Sequence, residues 1–440
     1  MPLGSAPLRG ITARLGDGSL VDLDLTPPGD SGVRVARIGA ASRTPEDQRA
    51  ESDWLTLPDH VLFGAAAEPH AHLDKALSWN ELHPPLGDLR AAIATWTEGA
   101  AHFTEESYEH RARRAALMML GNGYTAIRTH VNAAAPDDPT RAVRAINRVR
   151  DELAGLIAIQ IVFLPASTVA DDVVHAALDA GADLVGGAPH LADDPLTDLH
   201  RLLDIAEARG VGTDMHIDEF LQGDHLTINA YADRVASWPA DRIRTASHCS
   251  RLSTLSPAEL ADVTGRLASA HVGVVALPIT NLYLQGHDGP GRGQRAIAPI
   301  GALRAGGVEV CAGADNLRDP FNPLGRADPL ETAALSVVAA HQSPHDAIDL
   351  VTGDVRRVLG LEPAGPVVGA RADFLAVRGT DVVDVIAAAP ADRVVIVGGV
   401  VVARTETHRD IAFGSHAPPS TDLDQPRPLP DDDRDLTEAL

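Results

Sequence analysis

A distorted (β/α)₈ TIM barrel, joined to a small β-sandwich domain built from both ends of the chain, is the architecture that the sequence predicts. Three observations carry it. Eight short apolar runs alternate with helix-patterned stretches between residues 61 and 364, a strand-and-turn texture occupies both ends, and histidines or acids stand directly after most of the apolar runs. Eight buried strands alternating with helices is the count of a closed barrel, and 440 residues leave room for such a barrel of roughly 250 residues or more beside a smaller domain.

In chain order, residues 1–60 read as strands over Leu8–Leu15, Ser19–Leu25 and Val33–Ile38, with turn residues at Asp17-Gly18 and Pro27-Pro28-Gly29-Asp30. The texture returns at 365–405, with Ala372–Val377 and then Val394–Val397 and Val400–Ala403 flanking Gly398-Gly399 as a two-residue hairpin. Neither end supplies enough strands alone, so the two are expected to pair as one domain. Between them, 61–364 holds the barrel runs Val61–Glu68, Tyr124–His130, Ile157–Leu164, Ala182–Gly186, Val211–His216, Ile243–His248, Val272–Pro278 and Val308–Gly313. Helical patterning fills Arg90–Leu120, Arg141–Leu153, Val169–Ala180, Thr197–Arg209, Ala230–Ser237, Pro257–Ala270 and Ile297–Ala305, then Pro329–Ala340 and Ser343–Leu359. An open doubly wound sheet has a similar rhythm, but no glycine-rich turn joins a strand to a helix with dinucleotide spacing.

Composition excludes several classes of partner. A formal charge of -24 argues against nucleic acid and against an anionic membrane surface. No apolar stretch reaches the roughly 18 residues of a membrane span, and the first residues carry no basic segment followed by an apolar run, so a cytoplasmic protein is expected. Aromatics at 3% leave the core to Ala, Val, Leu and Ile. Cys249 and Cys311 are too few for a disulfide framework, and Cys249 points away from its neighbour His248 on a strand. Residues 416–440, with five prolines and seven acids, read as an acidic, proline-rich tail.

The candidate site follows from position. His70 and His72 alternate on an extended segment, so both imidazoles face one side and reach a common ion. His130 ends the second run, His190 follows the fourth, His216 and Glu219 the fifth, His248 the sixth and Asp315 the eighth. In a barrel these ends gather at one mouth. His70, His72, His216 and Asp315 make a borderline-to-hard donor set suited to one divalent ion, Zn²⁺ or Fe²⁺. Glu219 is a carboxylate placed to shuttle a proton, and His248 an imidazole placed to hold a water or a developing oxyanion. His130 and His190 are expected to support the site or to pack its wall. Lys75, the only lysine in the chain, stands three residues past His72 and is expected to line the pocket or brace the metal loop.

These residues sit in runs that match a known pattern: Pro69-His-Ala-His-Leu-Asp-Lys75, Arg128-Thr-His-Val131, Gln160-Ile-Val162, His216-Ile-Asp-Glu219, Ala246-Ser-His-Cys249, Asn281-Leu-Tyr-Leu-Gln-Gly286, Gly313-Ala-Asp-Asn316 and Asp319-Pro-Phe-Asn-Pro-Leu-Gly325. Over residues 3–405 the chain resembles the metal-dependent amidohydrolase superfamily, in the branch of cytosine deaminase and of relatives acting on triazines and other nitrogen heterocycles. The resemblance implies one catalytic metal held by His70, His72, His216 and Asp315, with Glu219, His248 and Asp315 in the acid-base work. It implies hydrolytic removal of an exocyclic amine, metal-bound hydroxide attacking the amine-bearing ring carbon while Glu219 protonates the adjacent ring nitrogen.

The same resemblance points to substrate contacts and to departures. Ala166 stands where cytosine deaminase has a glutamine that reads the pyrimidine edge, Phe321 where it has a tryptophan, and Asn316 removes an acid beside Asp315; Leu89 matches an apolar wall position. Gln285, Arg292 and Arg295 lie after the seventh run, where they would meet a carbonyl or an anionic substituent. The substrate is therefore expected to be a small nitrogen heterocycle other than cytosine. Hydrolysis of a cyclic amide or of an N-alkylamino bond by the same site is the alternative, and a heterocycle-binding barrel without turnover a third. A binuclear centre with a carboxylated lysine does not fit, because Lys75 is on the wrong strand for it. Closed barrels of this kind often form homo-oligomers.

Overall fold

The computed structural model describes residues 3–4, 6–42, 53–133, 135–223, 225–286 and 295–408. The predicted tail at 416–440 lies outside these residues, as does Arg292. Among the described residues, fifteen strands form two sheets. The first sheet takes β1 (Gly10–Arg14), β2 (Leu20–Leu25), β3 (Val35–Ala40) and β4 (Trp54–Gly64) from the N-terminal side, with β13 (Phe374–Arg378), β14 (Arg393–Val397) and β15 (Val400–Thr405) from the other end. Its order is β15-β14-β13-β4-β1-β2-β3, so the two ends join where β4 pairs antiparallel with β13. Strands from both ends share one apolar core, which includes Ile11, Leu23, Val35, Leu62, Phe374 and Ile396. The hairpin β14–β15 turns through Gly398 and Gly399 at φ 55° and 77°, the left-handed pair that a two-residue turn needs to match strand twist.

The second sheet is the barrel. It runs β5 (Ala66–Ala71), β6 (Tyr124–Asn132), β7 (Ala158–Leu164), β8 (Leu184–Val185), β9 (Thr213–Ile217), β10 (Arg244–His248), β11 (Gly273–Ala276) and β12 (Val310–Ala312) in sequential order, all parallel. Its two edges meet at a single parallel bridge, Ala71 to Asp315. Closure therefore happens between two of the predicted site segments.

One predicted run divides between the sheets. Val61–Gly64 ends β4, paired with β13, and the chain passes to the barrel at Ala65 before β5 begins. Both stretches are buried on both faces, so the apolar pattern is continuous across the junction. For the same reason His70 lies inside β5, not beyond it. The long helical stretch at Arg90–Leu120 is two helices, Leu89–Ala100 and Glu105–Asn122, the second capped by Thr104, whose side chain accepts from the Ser107 amide at 3.2 Å. Ser343–Leu359 likewise breaks at Thr352 into Pro344–Val351 and Gly353–Val358. Among the described residues, no helix is long and apolar enough to cross a membrane.

Beneath the strand ends the barrel interior is polar. Arg128 on β6 donates to Asp214 on β9 at 2.8 Å, to Thr245 on β10 at 3.1 Å, to Gln160 on β7 at 3.1 Å and to the Leu359 carbonyl at 3.3 Å. One planar guanidinium thus spans four acceptors, a pattern that a lysine ammonium does not reproduce.

Candidate active site

Strand β5 delivers the first donors. Glu68, fully buried, accepts from the His70 amide at 3.1 Å and from the Ala314 amide at 3.0 Å, so its carboxylate joins β5 to the loop that follows β12. Desolvation raises its pKa to about 7, against the pull of those amides. Gly313 makes the approach possible, since a Cβ there would lie 2.5 Å from the Glu68 carboxylate. By this link His70 and Asp315 are set by the same group.

The imidazoles then converge. His70 Nε2 is 3.1 Å from His216 Nε2, and His72 Nε2 is 3.2 Å from Asp315 Oδ1. The second Asp315 oxygen lies 3.9 Å from His248 Nε2, and His70 Nε2 is also 3.9 Å from Oδ1. Burial holds His70, His72 and His216 neutral, well below the ordinary histidine pKa, and their neighbours' charges add to the effect. Burial foremost, and then the charges of Glu219 and Asp319, hold the Asp315 carboxyl well above its usual range; a cation in the cluster reverses that shift. His70 Nδ1, His216 Nδ1, His248 Nε2 and both Asp315 oxygens are buried without a hydrogen-bond partner. Three neutral imidazoles and a carboxylate with unpaired lone pairs fit a borderline divalent ion. His248 and Asp315 both hold left-handed backbone, at φ 68° and 65°, strain of the kind found at functional sites.

Opposite this cluster, Glu219 and His248 share one partner. Asn281 Nδ2 is 3.1 Å from Glu219 Oε1 and 3.0 Å from His248 Nδ1, and the last two atoms are 3.3 Å apart. Desolvation raises Glu219 to about 8, with Asn281 and Gln285 opposing, and burial lowers His248 to about 3. At neutral pH the pair is a protonated acid beside a neutral imidazole. Asn281 was not among the predicted site residues, although a polar residue three positions past the strand-breaking Pro278 was the available signal.

A cavity of about 170 Å³ opens onto these groups. Its wall holds His72, His216, Glu219, His248 and Asp315, together with the predicted contacts Leu89, Ala166, Lys75, Asn316 and Phe321. Lys75 is 2% exposed, its ammonium 2.9 Å from His72 Nδ1 and 5.3 and 5.6 Å from the Trp96 and Phe321 rings. Asp319 accepts from Asn316 Nδ2 and from the Phe321 amide, both at 2.9 Å, and so places two of the wall residues. Trp96 was not predicted, although it lies two turns past Leu89 on the same helix, Leu89–Ala100. Gln285 does not line the cavity; its Oε1 accepts from Ser250 at 3.3 Å beside Glu219. Arg295 is directed elsewhere, donating at 2.7 Å to the Ala339 carbonyl, where the end of the helix Pro329–Ala340 supplies the free acceptor.

The supporting histidines differ. His130 stacks on His70 with ring centroids 3.8 Å apart, and its Nε2 is 3.6 Å from Asp214. Its ring nitrogens also stand within metal-sharing distance of His70 and His216. His190 donates through Nδ1 to the His216 carbonyl at 3.2 Å and so braces β9, burial lowering its pKa to about 4. Asp218, between His216 and Glu219, instead caps the helix Thr227–Val235, accepting from the Thr227 and Ile228 amides at 3.0 and 3.1 Å.

The profile described as "Amidohydrolase family" matches residues 49–403. The chain belongs to the amidohydrolase family. It is a hydrolytic enzyme of carbon–nitrogen bonds. This amidohydrolase is 29% identical over 397 residues to a pterin deaminase of Rhizobium rhizogenes, covering 86% of this chain and 90% of that one. Its fold superposes on the 5-methylcytosine deaminase of Klebsiella pneumoniae with a TM-score of 0.81, at 25% identity and 92% and 100% coverage of the two chains. The N-isopropylammelide isopropylaminohydrolase of Burkholderia multivorans gives a TM-score of 0.74, 27% identity and coverages of 90% and 99%.

Proposed function

We propose that this amidohydrolase deaminates an amino-substituted nitrogen heterocycle other than cytosine by hydrolysis, using one divalent ion, Zn²⁺ or Fe²⁺. The observation that carries the reading is the convergence of His70, His72 and His216 through Nε2 with the partnerless Asp315 carboxylate, opposite a buried Glu219. His70, His72, His216 and Asp315 would hold the ion. Bound there, it supplies the Lewis acidity that makes a water nucleophilic near neutral pH.

The chain's own groups do the rest. His248 Nε2, partnerless and 3.9 Å from Asp315, orients the attacking water and accepts from it. Glu219 gives its carboxyl proton to the ring nitrogen beside the amine-bearing carbon, which makes that carbon more electrophilic; it then regains the proton taken from the water through His248, 3.3 Å away, and passes it to the departing amine. Asn281 keeps Glu219 and His248 at a fixed separation. Leu89, Trp96 and Phe321 supply apolar surface against the ring, and Lys75 and Asn316 supply polar contacts to it. Ala166 contributes neither donor nor acceptor to the wall, so a cytosine edge would be left unpaired there, at a cost of about 1–3 kcal/mol per buried group.

The likeness to an N-isopropylammelide isopropylaminohydrolase favours one second reading, loss of an alkylamine in place of ammonia from the same carbon. The test is release of ammonia and of alkylamine from aminopyrimidines, aminotriazines, aminoimidazoles and pterins by the fully metallated protein. Ammonia from one class is the expected result. Turnover of none sinks the reading, and ring opening without amine release replaces it with cyclic-amide hydrolysis.

A further inference from the structure

The catalytic cavity does not end at the ring site. At about 170 Å³ it is smaller than the roughly 300–1,000 Å³ usual for a small-molecule site. A second cavity of about 470 Å³ adjoins it, and Trp96, Thr97, Asn132 and Ala166 line both. Together the two fall within the usual range. Among the shared residues Ala166, exposed on the loop after β7, offers only a methyl group to either cavity.

The chemistry of the second cavity is distinctive. Charged residues make up 22% of the chain, yet among the described residues none contributes to its lining. Beyond the shared wall it is built of alanine, proline, valine and threonine, including Ala100, Ala101, Ala135, Ala170 and Val173. Nothing in it would neutralise a phosphate or a carboxylate, and a net charge of -24 opposes either. Small apolar side chains leave the space that an alkyl or aryl group fills, and each buried methylene tightens binding roughly fourfold.

We infer that the substrate is a nitrogen heterocycle bearing an uncharged alkyl or aryl substituent, with the ring beside Glu219 and the substituent passing Ala166 into the second cavity. This rests on the deaminase reading and adds the substituent class to it. The probes are one heterocyclic ring in four forms, carrying hydrogen, n-butyl, phenyl or carboxypropyl, measured with the metallated full chain. Amine-free oxo forms report binding by calorimetry, and amino forms report amine release.

Butyl and phenyl are expected to lower Kd at least tenfold relative to hydrogen, and carboxypropyl to give no gain. Ala101→Trp and Ala170→Trp, at exposed positions that accept a large side chain, are expected to erase that gain, so that all four forms bind alike. Equal affinities in the wild type, or a gain that survives both substitutions, would overturn the second cavity as a subsite while amine release from the unsubstituted ring leaves the deaminase reading standing. Failure of every ring form to bind or turn over overturns both.

Discussion

Arg128 and Asp214 form an ion pair at 2.8 Å inside the barrel, both fully buried, directly behind the stacked His130 and His70. Removing one partner leaves an uncompensated charge where water does not reach. Arg128→Met is expected to cost about 3–5 kcal/mol, read as a lower urea midpoint. Arg128→Met combined with Asp214→Leu should recover much of that loss. A double variant no more stable than the single one would show that the remaining partners of Arg128, Gln160 and Thr245, dominate.

Glu219→Gln is expected to retain the bound ion and to lose more than 100-fold in turnover, because the amide keeps the contact with Asn281 but cannot cycle a proton. Metal analysis beside steady-state kinetics checks it. Loss of the ion in that variant would place Glu219 among the ligands.

The same carboxyl makes the metal-free protein sensitive to pH. Its pKa rises from 4.5 to about 8 on folding, so its contribution to stability is complete below pH 4.5 and is lost as pH climbs through 8. Glu68, at about 7, acts in the same direction. Between pH 5 and 8.5 the wild type should therefore lose stability relative to Glu219→Gln, by up to a few kcal/mol, in urea titrations of the chelated protein. Parallel curves for the two proteins would contradict the assignment.

Chelation is expected to abolish turnover and lower the melting temperature, and added Zn²⁺ or Fe²⁺ to restore both. An ion present at 100 times its Kd stabilises by about 2.7 kcal/mol. His72→Ala should remove this stabilisation without unfolding the chain, as thermal melts with and without metal will report.

Lys75 lies between two aromatic rings with almost no exposure. A guanidinium is planar and larger, so Lys75→Arg is expected to fold normally and to lower kcat/KM by about tenfold. Unchanged kinetics in a folded variant would make the chain's sole lysine incidental.

Much of this organisation is legible in the sequence because burial leaves a local record. Eight apolar runs each bounded by helical patterning give the barrel, and the histidines and acids after them mark its mouth. Two features leave no such record. The apolar pattern runs unbroken from Val61 through Ala67, because the end of β4 and the whole of β5 are buried on both faces, and the break at Ala65 exists only in the choice of pairing partners. Arg295 sits in sequence next to the site loop, yet a helix-terminal carbonyl takes it away.

By itself the sequence determined the eightfold alternation, the composite sheet and the placing of histidines and acids at the strand ends, since periodicity and residue type are properties of neighbours along the chain. Tertiary structure decided which donors face one another, how Glu68 couples His70 to Asp315, and that Ala166 stands between two cavities. Those facts depend on distances between strands far apart in sequence, and packing alone sets them.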